Sequence, residues 1–130
     1  MKQIIQDLSN GITSVEDVPA PILLPSTILV ESKRSLISSG TEKSLISFGK
    51  DSYLKKALNN PDRVKEVIEK LKTDGIFSTY DAVTSKLSQP LPLGYCNAGL
   101  IYESNIEDFK VGDRVLTNGP HAGFVRSTRN

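Results

Sequence analysis

Short apolar runs alternate with turn residues in the first third of the chain, a pattern typical of β-strands. The runs Lys2–Leu8 and Ile12–Val18 flank an Asn-Gly pair at positions 10 and 11, and such a pair between two strand-like runs predicts a hairpin. Prolines crowd the next stretch and predict an extended connection, because each removes a backbone donor. The stretch Thr27–Ile37 is rich in β-branched residues, so we expect a longer, more central strand there.

The middle of the chain has helical spacing instead. The small polar run Ser38–Thr41 is typical of a helix cap, so we expect a short helix that begins near Glu42. An Asn-Pro pair at positions 60 and 61 suits the start of a second helix, in which apolar residues recur with helical spacing from Val64 to Leu71. The run Ile76–Leu87 repeats this spacing after an Asp-Gly pair, and a proline stops it.

Strand patterning returns from Leu91 onward. Small residues interrupt the strand-like frame of Gly94–Ser104, and glycine in such a frame indicates a bulge or the close approach of another backbone or of a ligand. The segment Val111–Val115 is typical of a turn that feeds a strand, and Asn118–Pro120 of a second turn. A last strand is expected at Ala122–Arg126. The chain is therefore predicted to be mostly β, of the α+β class, with helices confined to its middle.

Composition and charge narrow the function classes. The 130 residues suffice for one domain, and 38% apolar against 24% charged residues predicts a packed core. Sixteen basic and fifteen acidic residues leave a formal charge of +1, which argues against a nucleic-acid partner. A single cysteine, a start without an apolar signal core and apolar runs shorter than the roughly 20 residues of a membrane span predict a cytoplasmic protein without a membrane partner.

Several chemical motifs are missing from the sequence. It contains neither the G-x-G-x-x-G dinucleotide fingerprint nor a phosphate-binding P-loop. Cys96 and His121 are the only cysteine and histidine, whereas a catalytic zinc site normally takes three protein ligands. A G-x-S-x-G elbow, which would favour a serine hydrolase, is also missing. The sequence thus predicts no metal site and no nucleotide site within these residues.

Two motifs in fixed order resemble a known family. The string LGYCNAGLIYE at Leu93–Glu103 precedes FKVGDRV at Phe109–Val115. In the medium-chain dehydrogenase/reductases, the zinc-type alcohol dehydrogenases, L-G-H-E-x-x-G-x-V-x-E precedes F-x-x-G-D-R-V within the N-terminal GroES-like domain. The hairpin, the proline connection and the strand before Ser38 also look like that domain. The resemblance implies a GroES-like partial β-barrel over residues 1–130, with a helical insertion at about 50–89.

The chain departs from this family at its zinc ligands. Gly40 stands nearest to the position of the first cysteine ligand, while Tyr95 and Cys96 replace the histidine and glutamate. The lobe with four structural cysteines is missing too. With the S-G-T-E turn, these departures resemble a metal-free subgroup that includes the bacteriochlorophyllide-type dehydrogenases. The closer resemblance is to bi-domain oxidoreductases of bacterial surface-polysaccharide synthesis, in which a similar helical insertion is expected.

The resemblance implies the catalytic or substrate-side domain of an NAD(P)-dependent, zinc-independent oxidoreductase. Its small-molecule substrate would be an alcohol or carbonyl, with a sugar derivative of polysaccharide synthesis as one class. NAD or NADP would be bound mainly by a Rossmann-type domain of the same parent protein outside these residues, so we expect this chain to be inactive alone. The alternative is a non-catalytic GroES-like binding or assembly module. A homo-oligomer is compatible with either reading.

Four residues are candidates for the chemistry of such a site. Without zinc, the substrate oxygen needs hydrogen-bond donors and a general acid or base. Tyr95 is either a phenolic donor to that oxygen or a packed aromatic. Glu42, with Thr41, lies on the turn that carries a ligand and proton relay in zinc-dependent relatives; the alternative is a carboxylate that faces the helix dipole. His121 is a candidate for proton transfer, although a solvated loop histidine is the expected state.

Overall fold

The computed structural model describes residues 1–129, apart from the side chain of Tyr53. Four helices and seven strands occur within these residues. The strands are β1 (Lys2–Gln6), β2 (Thr13–Asp17), β3 (Thr27–Ser35), β4 (Leu91–Pro92), β5 (Asn97–Ser104), β6 (Arg114–Thr117) and β7 (Phe124–Thr128). The helices are α1 (Thr41–Lys50), α2 (Tyr53–Leu58), α3 (Pro61–Asp74) and α4 (Ile76–Leu87). No described helix is long and apolar enough to cross a bilayer.

The chain divides into two compact units. The strand unit comprises residues 1–5, residues 14–42 and the residues from 92 onward. The helical unit comprises residues 6–13 and 43–91. The predicted insertion at about 50–89 lies within the second unit, which also takes in a short segment near the start of the chain.

Two antiparallel sheets form the fold, which confirms the α+β class. One has the strand order β6-β5-β3-β7, and the other has the order β2-β1-β4. In the larger sheet β3 is central, as predicted, and it pairs with β5 from Ile28↔Ser104 to Ser35↔Asn97. The predicted strand therefore ends two residues early, at Ser35. The last strand starts later than predicted, at Phe124, because Ala122 makes only an isolated bridge with Gln3.

The hydrophobic core lies on one face of the larger sheet. Ile28, Val30 and Ile101 are 3%, 0% and 2% exposed and form its centre. Successive strand residues point to opposite faces, so Ile28 and Val30 share the inward side of β3. The partly buried side chains of Ile106, Phe109 and Val115 pack against this centre. Each fully buried aliphatic side chain of this kind contributes about 1.5–3 kcal/mol relative to an exposed one.

The predicted hairpin between β1 and β2 is confirmed, but its loop is wider than a two-residue turn and spans residues 7–12. The Asp7 carboxylate accepts three hydrogen bonds. Ser9 donates two of them, from its backbone N–H at 2.7 Å and from its hydroxyl at 2.6 Å, and the side-chain amide of Asn10 donates the third at 2.8 Å. These donors, Ser9 first, hold the pKa of Asp7 below its ordinary value. Gly11 supplies the positive φ of 75° that closes the loop.

Local signals placed the helices well. The predicted start at Asn60 and Pro61 is confirmed, since Pro61 is the first residue of α3. The run Ile76–Leu87 is helical over its whole predicted length as α4. Gly75 separates α3 from α4 with a φ of 82°, in a region of backbone space that essentially only glycine adopts. Lys56 is buried in α2 and donates from Nζ to the backbone carbonyls of the hairpin loop and α1.

Candidate functional site

The start of α1 is held by a reciprocal cap. The backbone N–H of Thr41 donates to the Ser38 hydroxyl at 3.3 Å, and the Ser38 N–H donates to Oε1 of Glu42 at 2.8 Å. The arrangement is similar to a capping box, with the acidic residue one position later than usual. α1 thus begins at Thr41, close to the predicted start, and the cap fixes the Glu42 side chain.

Three side chains of the strand unit form a continuous hydrogen-bonded cluster. Nε2 of His121 lies 3.0 Å from Oε2 of Glu42, and Nδ1 of His121 lies 2.8 Å from the Ser35 hydroxyl. Glu42 and His121 are only 6% and 7% exposed, whereas Ser35 is exposed. These residues come from the start of α1, the turn before β7 and the end of β3. We call this set the Glu–His–Ser cluster.

The charge state of Glu42 sets the proton positions in the cluster. The backbone N–H of Ser38 is the main cause that lowers the pKa of Glu42, and the His121 ring adds to it, while burial works in the opposite direction. Glu42 is therefore a carboxylate near neutral pH, and a carboxylate only accepts hydrogen bonds. A neutral His121 ring then carries its proton on Nε2, so Nδ1 accepts from the Ser35 hydroxyl.

The His121 backbone is hydrogen-bonded to two neighbouring chain segments. Its N–H donates to the Leu93 carbonyl at 2.7 Å, and its carbonyl accepts from the Ile4 N–H at 2.9 Å. Gly94 has a φ of 92°, and a Cβ there would lie 2.7 Å from the His121 backbone nitrogen and 2.8 Å from ring atoms Cγ and Nδ1. The expectation of a close backbone approach at this glycine is confirmed, and the approach places the imidazole.

The other two candidates stay outside the cluster. Tyr95 follows Gly94, and its carbonyl accepts the Gly119 N–H at 3.2 Å, but the residue is 47% exposed. Tyr95 is therefore not a fully packed aromatic residue. Thr41 is exposed at the first position of α1. Among residues 1–129, no hydrogen bond joins the Tyr95 or Thr41 hydroxyl to the cluster.

The expectation of a solvated His121 is wrong, and the reason lies in a residue that sequence reasoning missed. Asn97 is fully buried, and its amide donates to the carbonyls of Gly119 and Pro120, which folds the turn before His121 inward. A polar residue at an inward position of an apolar strand was the available signal for Asn97. Ser35, the exposed end of the cluster, offered no such signal, since it is one small residue at the end of a strand.

The described residues do not fit a zinc site of the family's kind. Within residues 1–129, no group of three His, Cys, Asp or Glu side chains lies close enough to hold a metal ion. They also do not fit a Rossmann-type dinucleotide site, which needs the carboxyl ends of parallel strands and a glycine-rich turn. Both described sheets are antiparallel.

Comparisons with known proteins place the fold. No protein-family profile and no curated protein sequence matches the chain. The structure is similar to a probable oxidoreductase from Mycobacterium abscessus, with a TM-score of 0.59 and 18% identity, over 98% of this chain and 32% of that one. It is also similar to the quinone oxidoreductase from Coxiella burnetii, with a TM-score of 0.59 and 19% identity, over 98% of this chain and 34% of that one.

The chain therefore spans about a third of the length of these two proteins. At such low identity the likeness shows the fold alone, which the chain shares with a part of each of these two proteins.

Proposed function

We propose that this chain is the catalytic, substrate-side domain of an NAD(P)-dependent, zinc-independent oxidoreductase that acts on an alcohol or a carbonyl. The buried Glu42–His121 pair, at 3.0 Å, is the observation that carries the proposal. Reactions of this class must move a proton at the substrate oxygen, and a carboxylate-backed imidazole is suited to that task. The oxidoreductase-like fold supports the same class. A sugar derivative of surface-polysaccharide synthesis is the proposed substrate on the family resemblance.

The candidate residues have two kinds of role: one orients a neighbouring side chain, and another donates a hydrogen bond to the substrate. Glu42 orients His121 and stabilises its imidazolium form, as a buried carboxylate does in other acid–base sites. Tyr95, a half-exposed residue, presents a phenolic donor to the substrate oxygen. Thr41, exposed beside Glu42 at the start of α1, is proposed as a second polar contact for the substrate. A bound nicotinamide would supply the hydride donor or acceptor for the substrate carbon, while the residues above would handle the proton at the substrate oxygen.

The proposed partners are a small-molecule substrate and a Rossmann-type domain of the same parent protein, in the reducing cytoplasm. That domain would bind most of the nicotinamide dinucleotide. Calorimetry of this chain with NADH and with NADPH is therefore expected to show no tight binding. Tight, stoichiometric binding would contradict a cofactor domain outside these residues.

The activity test uses the natural protein that carries this chain. Oxidation of NADH and NADPH is followed with glyceraldehyde, benzaldehyde and 9,10-phenanthrenequinone as probes. Glu42→Gln and His121→Asn are each expected to lower turnover by about 10²–10⁴-fold, the range of general acid–base catalysis. Glu66→Gln, on the exposed face of α3, is the matched control and should leave turnover unchanged. Wild-type protein that neither binds nicotinamide nor turns over a probe would refute the proposal.

A non-catalytic binding or assembly module, a homo-oligomer included, is the second candidate, and one observation favours it. The helical unit exposes large apolar side chains, with Phe77, Leu58 and Leu54 at 89%, 81% and 80%. Such exposure is typical of interaction surfaces. Reading the coding frame beyond Asn130 separates the two candidates. A strand–helix–strand unit with a glycine-rich turn favours the enzyme, and a stop codon favours the module.

A further inference from the structure

Ser35 extends the Glu42–His121 pair to the protein surface. We propose that the Glu–His–Ser cluster is a proton relay that ends at the Ser35 hydroxyl, and that Ser35 is the catalytic residue that exchanges a proton with the oxygen of the bound alcohol or carbonyl. The inference rests on the proposed function for the identity of the substrate group. The relay itself rests on the geometry of three side chains.

The chain of hydrogen bonds is unbroken from the buried carboxylate to the hydroxyl. Its two links measure 3.0 Å and 2.8 Å, both within the range of good hydrogen bonds. Ser35 is held by the neighbouring β5 segment, since it pairs with Asn97, and the next residue, Leu36, donates its N–H to the Cys96 carbonyl at 3.0 Å. The strand therefore presents the Ser35 hydroxyl to the imidazole at a fixed distance.

Solvent exposure increases from Glu42 and His121 to Ser35, so the relay reaches solvent at the Ser35 end. Glu42 and His121 are each more than nine-tenths buried, and both ring nitrogens of His121 already have partners. A substrate oxygen would have to displace one of those partners to reach the imidazole directly. The exposed Ser35 hydroxyl is the member of the cluster that a substrate oxygen can contact without such a displacement.

The proton count closes within the three residues. During alcohol oxidation the substrate O–H bond breaks and its proton bonds to the Ser35 oxygen. The Ser35 O–H bond breaks in the same step, and that proton bonds to Nδ1 of His121. The products are a substrate alkoxide, an unchanged serine and an imidazolium paired with the Glu42 carboxylate. No electrons are transferred in this step, and carbonyl reduction runs it backwards.

Phenylmethylsulfonyl fluoride tests the relay on this chain without nicotinamide or substrate. The Ser35 oxygen would displace fluoride from sulfur, so an O–S bond forms, the S–F bond breaks and the serine proton passes to His121. A relay that polarises this hydroxyl should make Ser35 react at least about tenfold faster than an ordinary serine, a modest share of the acceleration a general base provides. Trypsin cleaves after Arg34 and Lys43, so peptide 35–43 holds Ser35 with two neighbouring serines, which fragment masses distinguish.

Controls come from the same peptide. Ser39 is exposed four residues away and reports the intrinsic reactivity of a serine here. Glu42→Gln should slow the Ser35 reaction to the Ser39 rate, whereas Ser39→Ala should not change it. Circular dichroism of each variant verifies folding, and Ser35→Ala, at an exposed position, should fold as the wild type does. Labelling of Ser35 no faster than Ser39 in the wild type overturns the relay.

Turnover of the natural protein with the probes above supplies the second readout. Ser35→Ala should lower kcat by about 10²–10⁴-fold with little change in KM, since the hydroxyl moves a proton rather than binds. Ser35→Thr keeps the hydroxyl and should restore much of kcat, and Ser39→Ala should match the wild type. Fast labelling without turnover would refute the dehydrogenase and keep the relay, while turnover that Ser35→Ala leaves intact would refute the relay alone.

Discussion

The strand unit and the helical unit treat their apolar side chains in opposite ways. Every hydrophobic side chain that the structure describes as buried belongs to the strand unit: Ile28, Leu29, Val30, Leu93, Ile101, Ala122 and Val125. The helical unit buries polar side chains instead, with Gln6, Lys56 and Thr79 at 0%, 7% and 2% exposure, while Phe77 is 89% exposed. A contiguous hydrophobic core thus supports one unit, and buried polar contacts support the other.

This difference shows why the candidate site lies where it does. Burial of an ionisable pair is costly unless its hydrogen bonds are held in place. The strand unit meets that requirement, because the paired strands of the larger sheet and the Gly94 segment hold His121 and Ser35 against Glu42. Among the described residues of the helical unit, no buried ionisable pair of this kind occurs, and its buried lysine, Lys56, donates to backbone carbonyls.

A pair of glycine substitutions should include the largest single loss of stability, at Gly94 in the strand unit. Gly94→Ala and Gly75→Ala both place a side chain at positive φ, at a cost of about 1–3 kcal/mol each. Gly94→Ala also meets His121 and adds about 1–3 kcal/mol of overpacking, whereas nothing lies within 4 Å of a Cβ at Gly75. Urea unfolding measures both. An equal loss of stability in the two variants would contradict the close contact between Gly94 and His121.

Core truncation should separate the units next. Ile101→Ala removes a 2% exposed side chain from the strand core and should lower the free energy of unfolding by about 2–5 kcal/mol. Phe77→Ala, at 89% exposure in α4, should change it by less than about 0.5 kcal/mol. Chemical denaturation of the two variants gives the comparison. A larger loss for Phe77→Ala would show that the helical unit has an apolar core of its own.

The buried pair should make stability depend on acid. Because the folded-state pKa of Glu42 lies below its ordinary value of 4.5, its contribution is present above that pH and is lost as pH falls through the folded pKa. Glu42→Gln should therefore cost about 1.5–3 kcal/mol at pH 7, the worth of hydrogen bonds to a charged group. The gap between wild type and variant should narrow in acid.

The control for this pair lies in the helical unit. Glu66 forms an exposed ion pair with Arg63 at 3.0 Å, so Glu66→Gln should change stability by less than about 0.5 kcal/mol. Thermal unfolding at pH 7 and at acid pH compares both variants with the wild type. If the stability difference between the wild type and Glu42→Gln widened in acid, this would contradict a folded-state pKa of Glu42 below its ordinary value.

Removal of the buried lysine should have the smallest effect. Lys56→Met takes a donor from the carbonyls of Leu8 and Gly49, at 2.6 Å and 3.1 Å, and should cost about 1–2 kcal/mol. Hydrogen exchange should quicken in the helical unit and stay unchanged in the strand unit. Lys55→Met, at an exposed neighbouring position, is the control and should alter neither.

The secondary structure was largely predictable because its signals are local. The Asn-Pro pair that starts α3, the glycine that ends it and the proline beyond α4 each restrict one or two backbone angles, whatever the rest of the chain does. The hairpin between β1 and β2 was predictable for the same reason. Its loop width was not, because the side chain of Asp7 selects it through contacts with Ser9 and Asn10.

The candidate site was predictable only as separate residues. Glu42 and His121 were named for their chemistry, but they stand 79 positions apart, and their pairing depends on how Asn97 folds the last turn inward. Ser35 stands 86 positions from His121, and nothing in its own neighbourhood marks it. Residue type and spacing thus determined the elements, the α+β class and the candidate chemistry. Tertiary packing decided which groups are buried and which of them meet, because burial and hydrogen bonding depend on distant segments of the chain.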